Sequence, residues 1–164
     1  MSGHCFFKDN VVLKVALAPS QSNEPSAAVK NQLNSLLFKY CEELQGVPVA
    51  YSKPTFPRQY GRILAEHPWI HVDAETQLLV FKPRIGKTLK GKVIKVTDSH
   101  ISALVYNMFN ASVSASELRK KFSFNVSSQT WEGPSGDISE GDSVALQVSS
   151  HSHSNGILHI DGII

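Results

Sequence analysis

Apolar positions along this chain keep two different rhythms, and the change between them falls near its middle. Residues 11–18 form a valine-rich apolar run broken only by Lys14. Such a run reads as a strand with at least one buried face. Residues 19–25 carry serines and Asn23, which favour turns, and at each end a proline, which lacks the amide donor, so they read as a loop. From Ser26 the spacing becomes helical: Val29, Leu33, Leu36, Leu37, Tyr40, Cys41 and Leu44 recur every three or four residues and share one face. Gly46 and Pro48 supply a stop, so the pattern predicts a helix from about Ser26 to Leu44. Residues 47–51, 62–65, 69–72 and 77–81 are short strand-like segments that predict a small sheet over the helix's apolar face.

The second half alternates. Lys82-Pro83-Arg84-Ile85-Gly86 carries a proline and a glycine at the change of rhythm, which divides the chain into domains 1–84 and 85–164. Residues 89–96 read Leu-Lys-Gly-Lys-Val-Ile-Lys-Val, a period of two that turns one face inward and the lysines outward. After a turn at residues 97–99, segments 101–105 and 109–113, with a bend near Asn107, predict one long coiled strand. Residues 116–121 suit a helical turn. Segments 144–149 and 156–163 are alternating strands joined by a polar loop at 151–155. Short strands at this spacing argue for a barrel that closes its edges on itself. The fold class is α+β: a helix on a small antiparallel sheet, then an all-β barrel.

Composition fits a folded chain of 164 residues, with 41% hydrophobic and 18% charged side chains. The two cysteines, Cys5 in an expectedly frayed terminus and Cys41 on the helix stripe, build neither a disulfide framework nor a zinc site. No stretch approaches the roughly 18 apolar residues of a membrane span, and no secretory signal opens the chain, so a soluble intracellular protein is expected. The net charge of +2 hides a strong polarity. Residues 1–81 carry 7 basic and 7 acidic side chains, residues 82–121 carry 9 and 2, and residues 122–164 carry none and 5. Local excess of this kind, rather than the total, attracts phosphate.

Catalytic constellations fail their own requirements. Gly86-Lys87-Thr88 ends like a phosphate-binding loop, but Phe81 stands where the first glycine belongs, and a strand rather than a helix follows. His151, His153 and His159 lack a fourth ligand for structural zinc and read as solvated loop histidines. Cys41 reads as a small core residue, and no Gly-x-Ser-x-Gly elbow is present. Nothing calls for a cofactor or for an enzyme. The basic run is the positive feature: Lys82, Arg84, Lys87, Lys90, Lys92 and Lys95, without an intervening carboxylate. It reads equally as a solvated face and as a nucleic-acid footprint. His100, Tyr106 and Phe109 follow it and offer rings to unpaired bases, although Phe109 suits a core better.

The string from Leu89 to Val113, with its Gly-Lys-Val-Ile-Lys-Val, Ser-His-Ile and Phe-Asn-Ala-Ser blocks, resembles the opening strands of the OB-fold in the larger stalk subunit of eukaryotic RNA polymerase I. Upstream, Gly46-Val47-Pro48-Val49-Ala50-Tyr51 after a helix is similar to the tip domain of the same family, and Ile70-His71-Val72 with Phe81-Lys82-Pro83 falls in register. Residues 116–138 match nothing in it. The resemblance implies a truncated ribonucleoprotein-like tip domain that docks to the polymerase core through Leu44, Gly46, Val47, Pro48 and Tyr51. It also implies an OB domain that touches nascent RNA weakly and without sequence preference through Lys87, Lys90, Lys92, Lys95, His100 and Tyr106. The implied partners are the polymerase I core subunits, a smaller stalk subunit and the polymerase I-specific initiation factor; the implied location is the nucleus and nucleolus. The alternative that the residues leave open is a free-standing OB-fold protein binding single-stranded RNA.

Overall fold

The computed structural model describes residues 5–164, which form two compact units: Phe6–Lys82, and Pro83–Ile164 together with Cys5. No helix among the described residues is long and apolar enough to cross a membrane.

In the first unit, β1 (Phe6–Leu17) and β4 (Ile70–Phe81) pair antiparallel along their whole length, from Phe6 opposite Phe81 to Leu17 opposite Ile70. The other edge of β4 takes β2 (Val47–Tyr51) at one end and the two-residue β3 (Arg62–Ile63) at the other. Alternation on β1 turns Val15 and Leu17 inward while Val12 and Lys14 face out. Helix α1 (Pro25–Leu36) buries Val29 and Leu33 against this face, together with Ala74, Leu78 and Val80. Each such aliphatic side chain contributes about 1.5–3 kcal/mol when fully buried.

The helix is shorter than its apolar spacing predicts. It stops at Leu36 because Leu37 turns extended (ψ 141°) and Phe38 takes a positive φ of 60°. Residues 41–46 then make a tight turn, closed by Cys41 N–H to the Gly46 carbonyl at 2.9 Å and by the reciprocal bond at 3.3 Å. Leu44 reaches the same core from that turn, so its place in the three-four rhythm is coincidental. Gly46 is no helix stop. Its α carbon lies against β4, where an added Cβ would sit 2.5 Å from the Phe81 carbonyl oxygen. The two strands predicted at 69–72 and 77–81 are one strand, carried across its polar middle because the buried Thr76 donates its hydroxyl to the Ser52 carbonyl at 2.8 Å.

The second unit is a closed barrel in the order β10-β11-β7-β6-β5. Its strands are β5 (Thr88–Val96), β6 (His100–Val105), β7 (Phe109–Ser114), β10 (Ser143–Ser154) and β11 (Ile157–Ile163). β10 closes it antiparallel on β5, and β11 runs parallel to β7. The single coiled strand expected over 101–113 is instead an antiparallel hairpin. Residues 106–108 form its three-residue turn, with Tyr106 (φ 51°) and Asn107 (φ 57°) at positive φ and Met108 N–H donating to the Val105 carbonyl at 3.1 Å. Residues 151–155 are no loop either. β10 continues to Ser154 and turns on Asn155 (φ 51°) and Gly156 (φ 76°), the Asn-Gly pair that a tight right-twisted hairpin favours.

Between β7 and β10, residues outside the family resemblance, opening on the expected helical turn, build a plug. α2 (Ala115–Leu118) and the hairpin of β8 (Ser123–Asn125) and β9 (Thr130–Glu132) bring Leu118, Phe122, Trp131 and Ile138 onto Val93, Val96, Ile101 and Val113. Trp131 is fully buried, and its indole N–H donates to the Thr97 carbonyl at 2.9 Å. Cys5, far from fraying, is also fully buried, as a small apolar side chain tends to be.

Candidate nucleic-acid interface

On β5, Leu89, Gly91 and Val93 face the barrel interior, so Lys90 and Lys92 stand outward and exposed. Strict alternation would next drive Lys95 inward. A bulge against β6 between Val93 and Lys95 prevents this: Ile94 and Lys95 are both exposed, and Val96 returns to the core. Lys90 lies opposite Ala145 of β10, and Lys92 lies between Ser143 of β10 and Leu104 of β6. Lys87 is exposed in the turn before the strand, where Gly86 takes a φ of 83° and donates its N–H to the Val148 carbonyl at 2.7 Å.

Three other cations of the basic segment are engaged. Lys82 pairs with Asp9 at 2.6 Å and lies 5.9 Å from the centre of the Phe7 ring. Lys120 pairs with Glu117 at 2.7 Å, and Lys121 donates to the Ile164 carbonyl at 3.0 Å. Among the described residues no carboxylate pairs with Lys87, Lys90, Lys92 or Lys95.

His100 sits differently from the lysines. It is half-buried at the start of β6, with Nδ1 at 3.1 Å from Thr97 Oγ1 and 3.0 Å from Ser99 Oγ. The ring therefore braces the turn before β6 rather than standing free for a base. Tyr106 is 45% exposed at the far turn of the same strand. Burial, with the neighbouring Cys5 as the smaller cause, pushes its phenol above the usual value, so it remains a neutral donor near pH 7. Phe109 is buried in the core. His151 and His153 project from the face that carries their partners Ile160 and Leu158, whereas His159 shares the opposite face with its partner Ser152. The three rings do not converge.

Of the docking residues expected in the first unit, none stands fully exposed. Gly46, Val47 and Pro48 are buried, and Leu44 and Tyr51 pack half-buried on the unit's own core. The Tyr51 hydroxyl donates to Asn34 Oδ1 of α1 at 2.7 Å, tying strand to helix. Apolar side chains that do face solvent lie elsewhere: Tyr60, Ile63, Leu64 and Trp69, each 46–69% exposed, on β3 and its flanking loops. Sequence reasoning reads 62–65 as one strand of the small sheet that covers the helix. Its shortness, hemmed by Gly61 and by charged and proline positions at 66–68, is the signal that it makes only an edge.

Residues 83–155, which contain most of the barrel, match the family model described as the RPA43 OB domain in RNA Pol I. The barrel region belongs to this family. It is 33% identical over 134 residues to the human DNA-directed RNA polymerase I subunit RPA43, covering 82% of this chain and 37% of that protein. To the probable RPA43 subunit of Dictyostelium discoideum it is 31% identical over 159 residues, covering 94% and 45%. To the RPA43 subunit of Schizosaccharomyces pombe it is 27% identical over 139 residues, covering 82% and 80%. The chain thus spans less than half of the human and Dictyostelium relatives. The matched region makes the barrel an OB domain, and its outward lysines belong to that domain.

Proposed function

We propose that this chain works as a non-catalytic stalk subunit of RNA polymerase I, in the nucleus and its nucleolus. The observation that carries the reading is the match of the barrel to an OB domain assigned to RNA polymerase I, within a chain whose relatives in animals, an amoeba and a yeast are named as the same subunit. In this reading the Phe6–Lys82 unit is the truncated ribonucleoprotein-like tip that docks on the core enzyme. The exposed Tyr60, Ile63, Leu64 and Trp69 are its apolar contacts, a better surface than the buried Gly46, Val47 and Pro48. The barrel unit contributes to recruiting the polymerase I-specific initiation factor, works beside a smaller stalk subunit, and contacts emerging RNA through its unpaired lysines, a sequence-independent role suited to backbone charge.

Affinity purification of the tagged protein from nuclear extract, followed by mass spectrometry, tests this. Recovery of polymerase I core subunits in stoichiometric amount is the expected result. Recovery of polymerase II or III subunits, or of RNA with no polymerase, would overturn it, the latter in favour of a free-standing RNA-binding protein.

A further inference from the structure

An OB barrel commonly receives oligonucleotides on the outer face of its second and third strands, which here are β6 and β7. That face is ill suited to a polyanion in this chain. Across β6, β7 and β11 the outward positions carry Ser102, Asn110, Ser112 and His159, with Asp161 beside them. Asp161 accepts hydrogen bonds from Ser112 Oγ at 3.2 Å and Ser150 Oγ at 2.8 Å, and among the described residues no cation pairs with it. Its full charge therefore faces anything laid in the groove. Of those outward positions only His159 supplies a ring on which a base can stack, and His100, outward at the start of β6, is held by Thr97 and Ser99.

The neighbouring strand is the opposite in character. Lys90, Lys92 and Lys95 share the outer surface of β5, with uncharged Ala145 and Ser143 beside the first two on β10. Two residues along a strand advance about 6.8 Å, so Lys90 and Lys92 are spaced to meet successive phosphates of an extended strand. At the end of β5 the β6–β7 turn places Tyr106 just beyond the pair Gly91–Val105, next to Lys90. That gives the lysine row one half-exposed ring at its end.

We infer that a single RNA strand runs along β5, held by its phosphates on Lys95, Lys92, Lys90 and Lys87, and that the groove across β6, β7 and β11 is not its path. The inference rests on the reading of this chain as an RNA-contacting subunit and names the track. Binding along it is electrostatic, sequence-tolerant and strongly salt-dependent, because one ring cannot read a sequence and each phosphate contact releases a counterion.

The test uses the full chain and a fluorescently labelled 12-nucleotide oligouridine, with anisotropy measured from 20 to 200 mM salt. Replacing Lys90, Lys92 and Lys95 together by Gln should flatten the slope of log K against log salt by about 2, since each contact to a single strand contributes about 0.7. Asp161→Asn should change affinity less than twofold, because the charge it removes lies off the track. Photocrosslinks from 4-thiouridine should map to β5 and Tyr106. Circular dichroism checks that both variants keep the wild-type fold. An unchanged slope in the lysine variant, a several-fold gain in Asp161→Asn, or crosslinks on Ser102, Asn110 or His159 would overturn the β5 track while leaving RNA contact intact. Failure of the wild-type chain to bind oligouridine even at 20 mM salt would overturn the RNA reading itself, and the track with it.

Discussion

Strand β2 of the first unit and strand β5 of the barrel each carry residues that the family resemblance implies as contacts to another molecule, and they end in opposite places. On β2 they include Gly46 just before it, Val47 and Pro48, and these three are buried. On β5 they are Lys90, Lys92 and Lys95, and all are exposed. The difference lies in what burial costs. An unpaired ammonium loses several kcal/mol on leaving water, so a lysine at period two with aliphatic residues can point only one way. An apolar side chain is stable in a core and tolerable on a docking surface, and a short apolar motif does not distinguish the two. Charge alternation is therefore the safer guide to a face.

Substitution in the two strands should break the symmetry sharply. Val47→Asp places an unpaired charge in a buried position opposite Phe81 of β4, and should cost about 4 kcal/mol or more, enough to unfold the first unit. Urea unfolding followed by Trp69 fluorescence measures it; a loss under about 1 kcal/mol would mean that β2 is not core. Trp131→Ala in the plug should cost about 3–5 kcal/mol in the barrel. Trp131→Phe should lose less, roughly the 1–3 kcal/mol of leaving the Thr97 carbonyl without its donor. Calorimetry of both variants separates the ring from its hydrogen bond.

Smaller effects sharpen the comparison. The triple Lys90, Lys92, Lys95 to Gln variant should change stability by no more than about 0.5 kcal/mol, as exposed positions without partners do. A larger loss by thermal unfolding would assign the lysines a structural role. The smallest effect belongs to Asp142, in the turn that starts β10. Its carboxyl is held below its ordinary value by the Ser139 hydroxyl at 2.6 Å and, secondarily, by the Ser139 N–H at 2.8 Å. A lowered carboxyl stabilises the fold above the unfolded-state value and loses that contribution as pH falls through the folded one. Asp142→Asn should therefore be slightly less stable than wild type at pH 7, and the gap should close as pH falls below the ordinary carboxylate range. A gap that persists in acid would mean that the charge is not what holds the turn.

How legible the molecule was follows the same physics. β5 can be read residue by residue, except for the bulge at Ile94 and Lys95, which sequence spacing alone would resolve by burying the last lysine. α1 was legible in its first half, where Val29 and Leu33 meet the sheet, and misleading in its second, where Leu44 keeps the rhythm from a turn. The polar middle of β4 hid one long strand, because Thr76 satisfies its hydroxyl on Ser52, a residue 24 positions away. The hairpin turns at Tyr106-Asn107 and Asn155-Gly156 were detectable only as polarity, although Asn-Gly in the second is a strong local signal.

By itself the sequence determined a helix-bearing module, a β-rich module, the outward Lys90 and Lys92 and the family resemblance, because periodicity, charge and short-range motifs act within a few residues of one another. The tertiary structure alone decided that Gly46, Val47 and Pro48 lie inside, that Trp131 seals one end of the barrel, and that Asp161 sits across the sheet from the lysines. Each of those depends on partners far along the chain, brought together only when the sheet and the barrel close.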